Sequence, residues 1–255
     1  MIPVACEGDT MMATLDAAAG RSGLLIVSGG NEIRCGAHRG MALLASGIAS
    51  AGLPVFRYDR RGIGDSTGVN RGFLHAREDL LAAVAAFRRE MPNLTRIVGY
   101  GNCDAASTLA LFGRSSGLDG VVLANPWIVT PTDDLPPAAA IRQRYAERLR
   151  QPGEWRRLLG GQVDLSKLRR GVAKLLAGRD DVGLAASVLD GIDAWGDRAR
   201  LVLARRDSTA IAFAKASKSG RRQFKVELVD SDSHSFARVD DAAVLRRIVE
   251  EALTP

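Results

Sequence analysis

Short unbroken runs of Val, Ile and Leu alternate along this chain with longer amphipathic stretches, and the alternation is sustained over most of its length. Such runs read as strands buried on both faces, the mark of a mainly parallel sheet covered by helices. The strand candidates are Gly23–Ser28, Pro54–Tyr58, Arg96–Tyr100, Gly120–Ala124, Arg200–Ala204 and Phe224–Val229, and a hairpin before residue 20 adds two more. Residues 38–51, 75–90, 104–114, 208–218 and 239–253 carry the i, i+3, i+4 spacing of helices with one buried face. The alternation breaks once, between Pro126 and about Trp195, where the helix-like segments Ala138–Arg150 and Leu165–Leu176 follow one another with no strand between. Asp164 suits the start of the second and Gly178 its stop. The pattern predicts one α/β domain, residues 1–129 and 197–255, interrupted by a small helical cap at 130–196. That insertion either shapes a substrate pocket or covers an exposed sheet edge.

Open α/β sheets place their active sites at the carboxyl ends of strands, so the residues there come first. Strand 96–100 runs through Gly101-Asn102-Cys103-Asp104-Ala105 directly into a helix, which puts Cys103 on the sharp strand-to-helix turn called a nucleophile elbow. That turn needs small residues two before and two after the nucleophile. Gly101 and Ala105 meet the requirement, although glycine is the commoner choice at the second place. The helix beginning near Asp104 would aim free amides and its positive dipole end at Cys103 and favour the reactive thiolate. A buried, inert thiol is the competing role.

The chain has only three histidines. His234 follows the last strand and precedes the terminal helix, where a general base belongs in the order nucleophile, acid, base. His38 and His75 stand near helix starts, which suits capping or surface roles. Asp207, after the penultimate strand, is placed to accept the Nδ1 proton of His234, with a plain helix cap as its alternative role and Asp232 as the nearest rival. An oxyanion hole needs two backbone amides. Asp104 supplies one, and the glycine-rich loop Ser28-Gly29-Gly30-Asn31 supplies the other from Gly30 or, preferred, Asn31. Asp104 itself is a poor dehalogenase nucleophile, because it lies one residue past the apex. A second glycine-rich stretch, Asp59-Arg60-Arg61-Gly62-Ile63-Gly64-Asp65-Ser66, matches neither the dinucleotide nor the P-loop spacing.

Composition changes this picture little. Hydrophobic residues at 46% and charged residues at 25% are ordinary for a globular chain of 255 residues. The formal charge of +6 has a local source: residues 142–179 hold eleven Lys or Arg against Glu147, Glu154 and Asp164. This is either a solvated helical face or a surface for an anionic substrate or acidic membrane. Aromatics at 5% do not interleave with the basic residues, so nucleic acid is not an expected partner. The N-terminus does not read as a signal peptide, and no segment reads as transmembrane. Cys6, Cys35 and Cys103 are widely spaced, without a CxxC pair, which argues against a disulfide framework or a zinc site and for a reduced cytoplasmic protein. No cofactor or metal is expected, and the oligomeric state is left open.

These residues together resemble the α/β-hydrolase superfamily: Asp59-x-Arg61-Gly62-x-Gly64-x-Ser66 looks like its loop after the fourth strand, and elbow, acid and histidine follow in its order. More narrowly, Gly29-Gly30, Arg34-Cys35-Gly36-Ala37-His38-Arg39, Cys103-Asp104-Ala105-Ala106-Ser107 and Asn125-Pro126-Trp127 are similar to the exosortase A system-associated hydrolases of the first type. Those are bacterial proteins encoded near protein-sorting and exopolysaccharide genes. The resemblance implies the α/β-hydrolase fold and a triad of Cys103, Asp207 and His234, and it does not settle which bond is cleaved. The thiolate chemistry points to acyl transfer from an ester or thioester rather than an amide, because a thiolate is itself a good leaving group, with a small acyl substrate, anionic or lipid-like, as the expected partner. The resemblance leaves open an acyltransferase using the same triad and a non-catalytic binding or scaffold protein.

Overall fold

A computed structural model describes residues 1–129, 182–220, 222 and 224–254. Eight strands form one sheet: β1 (Ile2–Cys6), β2 (Asp9–Asp16), β3 (Ser22–Val27), β4 (Val55–Tyr58), β5 (Arg96–Asn102), β6 (Gly120–Ala124), β7 (Ala199–Ala204) and β8 (Val226–Val229). Their spatial order is β1-β2-β4-β3-β5-β6-β7-β8. The β1–β2 and β2–β4 pairings are antiparallel and every other pairing is parallel. All six strands expected after residue 20 are present, and the expected N-terminal hairpin is β1 and β2.

The burial of each strand follows from its neighbours. β4 and β6 are buried at every residue, and β3 and β5 at all but their first, as strands covered on both faces must be; β1 at the edge is buried only at Val4 and Cys6. Successive side chains of one strand go to opposite faces. Leu25, Val27 and Leu203 pack with helices α2 (Arg77–Glu90), α3 (Asp104–Phe112), α4 (Val182–Asp193) and α5 (Ser208–Ser219). Leu24, Ile26 and Val202 pack on the other side with α1 (Gly40–Ser50) and α6 (Val239–Leu253).

The segments Ala138–Arg150 and Leu165–Leu176 lie outside the described residues. Of the insertion expected at 130–196, the described end forms α4, whose Val188, Leu189 and Ile192 share a core cluster with Leu109 and Ala110 of α3. Among the described residues no helix is long and apolar enough to cross a membrane.

Candidate active site

β5 ends at Asn102 and α3 begins at Asp104, so Cys103 alone makes the turn between them. Its backbone is at φ 62° and ψ −127°, a conformation that costs a non-glycine residue about 1–3 kcal/mol. The surroundings hold it there. The Cys103 amide donates to the Ala124 carbonyl at 2.9 Å, and the Cys103 carbonyl accepts from Ala106 at 3.1 Å and from Trp127 at 3.2 Å. A Cβ on Gly101 would lie 2.7 Å from the Ala105 carbonyl carbon and 2.9 Å from the Ala106 amide nitrogen. Helix and strand therefore approach closely enough to need the small residues read from the sequence.

His234 reaches this turn on the loop between β8 and α6, and two asparagines fix its backbone. The Asn102 side-chain amide donates to the His234 carbonyl at 3.0 Å, and that of Asn125 donates to the same oxygen at 3.1 Å. Asn125 also donates to Asn102 Oδ1 at 3.1 Å and accepts from the Ala204 amide at 2.9 Å. An amide donor at Ala204 requires an oxygen there, so both Asn125 N–H groups are left for the other two contacts. Asn125 is fully buried, at φ 43°, and ties the ends of β5 and β7 to the histidine loop. Sequence reasoning assigned it no role. The available signal was a polar side chain at the carboxyl end of a strand buried along its whole length.

His234 Nδ1 lies 3.0 Å from Asp207 Oδ2. The other oxygen, Oδ1, accepts the amides of Thr209 at 2.9 Å and Ala210 at 3.0 Å, so Asp207 caps α5 and contacts the histidine at once. The cap and the histidine contact, weighed as alternatives, are made by different oxygens. Burial pushes the Asp207 carboxyl up, but the hydrogen bond and charge of His234, with the Ala210 and Thr209 amides, outweigh it and hold the carboxyl below its ordinary value. His234 is pushed up to about 10, first by its hydrogen bond to Asp207 and then by one to Cys103, against the opposing effect of burial. With Nδ1 turned to Asp207, Nε2 is the ring nitrogen left for Cys103. The histidine side chain stays 41% exposed, which gives water access to its ring. The rival acid Asp232 pairs with Arg238 at 2.6 Å on the surface, and His38 and His75 are both exposed.

The loop after β3 lies against the start of α3. Asp104 Oδ1 accepts the Gly30 amide at 2.7 Å, and a Cβ on Gly29 would lie 2.7 Å from the Asn102 carbonyl oxygen. The buried Arg60 donates to the Gly30 carbonyl and stands 3.9 Å from Asp104 Oδ2. Gly30 is thus held by both its N–H and its C=O. The Asn31 amide makes no hydrogen bond to another described residue. Asp104 is the first residue of its helix, where an amide has no partner within the helix. Among the candidate oxyanion donors, the amides of Asp104 and Asn31 are the unspent ones.

Asp59 begins the second glycine-rich stretch. It is fully buried and accepts the Arg34 amide at 2.5 Å and the Asp65 amide at 3.2 Å, and it pairs with the Arg34 guanidinium. This stretch braces the loop after β3 through Arg34 and Gly30. Among the described residues no cluster of three or more His, Cys, Asp or Glu could hold a metal ion.

No protein-family model and no curated protein sequence matches the chain. Solved structures do match. An esterase of Pyrococcus furiosus superposes with a TM-score of 0.63 at 18% identity, over 99% of this chain and 88% of the other. An alpha/beta hydrolase of Sphaerobacter thermophilus gives 0.59 at 17% over 99% and 100%. The thioesterase domain of the curacin biosynthetic pathway gives 0.59 at 15% over 97% and 98%. At these identities the likeness carries the architecture: the chain has the α/β-hydrolase fold.

Proposed function

We propose that this protein hydrolyses carboxylic ester or thioester bonds of a small acyl substrate through an acyl-enzyme formed on Cys103. The observation that carries the reading is His234, 3.0 Å from Asp207 and pushed up by both Asp207 and Cys103, with Cys103 on an elbow whose strained backbone is held from three sides. Structures of the same fold include proteins named esterase and thioesterase domain.

In this reading the Cys103 thiolate attacks the carbonyl carbon, and the resulting oxyanion is held by the amides of Asp104 and Asn31. His234 gives its Nε2 proton to the departing alkoxide or thiolate as the carbonyl reforms, leaving a thioester. Neutral His234 then takes a proton from water, hydroxide adds to the thioester, and collapse releases the acid and the Cys103 thiolate, with the imidazolium restored. Asp207 keeps the Nδ1 proton in place throughout. Esters and thioesters suit this nucleophile better than amides, because a tetrahedral intermediate expels a thiolate in preference to an amine.

A nucleophilic thiol must stay reduced, and all three cysteines are free, which suits the cytoplasm. The motifs that resemble those of the exosortase A system-associated hydrolases add a bacterial exopolysaccharide or protein-sorting setting to the proposal.

Cys103→Ala tests the reading. Turnover of small activated esters falls to background, and labelling by iodoacetamide near neutral pH is lost. Cys6, buried and with its thiol pushed up to about 11 first by burial and then by Asp79, does not replace it. Ester turnover unchanged in Cys103→Ala refutes the nucleophile assignment.

A further inference from the structure

A cavity of about 290 Å3 lies between the first turns of α1 and α6. Its walls are mostly apolar, from Met41 and Leu44 on one side to Phe236 and Leu245 on the other. Each loop or strand that bounds it also carries a part of the candidate active site. Tyr100 stands three residues before Cys103 on β5, Glu32 follows Asn31, and Ser235 and Phe236 follow His234. These segments converge: Asn102 holds the His234 carbonyl at 3.0 Å, and Asp104 holds the Gly30 amide at 2.7 Å. The segments that bound this space therefore lead directly into the elbow, the loop after β3 and the histidine loop.

Backbone strain marks the same place. The non-glycine residues at positive φ among the described residues are Glu7, His38, Arg39, Cys103, Asn125 and Phe236. All but Glu7 belong to the elbow, its support or the two loops bounding this cavity. Strain of this kind persists where the surroundings impose it, and it gathers at sites of function. At Phe236 (φ 53°) the turn closed by its amide on the Ser233 carbonyl, at 3.2 Å, buries the ring in the cavity wall. At His38 and Arg39 the left-handed pair turns the chain into α1, whose first turn presents Met41.

The charges at the lining decide the class of occupant. Arg246 is paired with Glu250 at 2.7 Å, and burial first, then the charge of Glu32, disfavour the Tyr100 phenolate. A paired cation and an acid offer nothing to an anionic tail, so the occupant is neutral and apolar. At about 30 Å3 for one water-sized group, the volume holds roughly ten such groups, which suits a chain of about eight to ten carbons.

We propose that the cavity between α1 and α6 receives an unbranched hydrocarbon chain of the substrate and sets its chain-length preference. The proposal rests on the ester-hydrolysis reading for its substrate, and its test separates the two. Two ester series distinguish the source of the chain: p-nitrophenyl acyl esters from acetate to dodecanoate vary the acyl side, and alkyl acetates from ethyl to dodecyl vary the alcohol side. In wild type, kcat/KM rises along one series and peaks near eight to ten carbons. Ala242→Trp, at an exposed position on the rim, lowers the octyl-to-ethyl or octanoate-to-acetate ratio by roughly tenfold or more, and Leu44→Ala moves the peak to longer chains. A binding arm uses Cys103→Ala, which carries no nucleophile: octyl acetate or ethyl octanoate raises its Tm more than ethyl acetate does, and adding Ala242→Trp removes the difference. A binding difference without ester turnover in wild type supports the cavity and overturns the reaction. Equal Tm shifts for long and short esters, with chain-length profiles flat or unmoved by either variant, overturn the cavity proposal.

Discussion

Asp207 contacts two different parts of the molecule through two different oxygens, so its replacements separate folding from catalysis. In Asp207→Asn the side-chain oxygen still accepts from Thr209 and Ala210, bonds of 2.9 and 3.0 Å. Asn caps helices about as well as Asp, so the cap survives. The amide NH2 then faces His234 Nδ1, where Oδ2 stood at 3.0 Å. Donor would meet donor, and the ring answers by moving its proton to Nε2, the wrong tautomer for a base acting on Cys103. Loss of the correct tautomer in another triad, that of chymotrypsin-like proteases, costs about 10⁴ in kcat, which sets the scale expected. Asp207→Ala loses the cap as well, at about 0.5–2 kcal/mol. For a domain of this size that is a fall in Tm of about 1 to 8 °C below Asp207→Asn. The assay pairs kcat on an activated ester with thermal unfolding followed by circular dichroism. If Asp207→Asn keeps kcat within tenfold of wild type, Asp207 does not orient the base. Identical Tm values for Asn and Ala variants remove the capping half of the argument.

Two more predictions concern the groups on either side of Cys103. Asp104→Ala frees the Gly30 amide and unfixes the oxyanion loop, so kcat falls roughly 10- to 100-fold with KM little changed, below the ~10²–10³ for deleting a donor outright; Asp104→Asn retains most of the rate, and equal rates for Ala and wild type would show that the contact is idle. His234 is pushed up to about 10 from an ordinary 6.5, so the stability its charged form contributes is fully present below about pH 6.5 and is lost as pH rises through about 10. The Tm difference between wild type and His234→Gln therefore shrinks across that window, and a difference that stays constant from pH 6 to 10.5 contradicts the assignment.

The elements that the sequence made legible are those whose signal is local. β3, β5 and β6 are short, mainly apolar runs, buried at all or all but the first of their residues, and Gly101 with Ala105 announces the close approach that Cys103 needs. Asp207 and His234 were legible because each follows a recognisable strand. What stayed hidden is set by contacts between distant segments. Asn125 joins Asn102, Ala204 and His234 across 23, 79 and 109 residues of chain, and no periodicity reports that. The choice between Gly30 and Asn31 as oxyanion donor was equally nonlocal, since it turns on where the Asp104 carboxylate points.

That carboxylate poses the electrostatic problem of the site. An acid immediately after the nucleophile puts negative charge beside the place where an oxyanion would form, and at short range in a partly dry site this opposition is not small. The geometry answers it twice. Asp104 turns its Oδ1 onto the Gly30 amide at 2.7 Å, and Arg60, 4% exposed, stands 3.9 Å from its Oδ2. A guanidinium taken from water is stabilised only by the partners it keeps, and among the described residues Arg60 keeps two: the Gly30 carbonyl and the Asp104 carboxylate. The acid, the cation and the loop therefore depend on one another. Arg60→Met leaves Asp104 unneutralised while its Gly30 contact remains, which opposes the oxyanion more than Asp104→Ala does, where charge and anchor leave together. Adding Asp104→Asn to Arg60→Met removes the uncompensated charge and restores part of the rate, an outcome expected only if charge near the oxyanion, and not packing alone, is what Arg60 supplies.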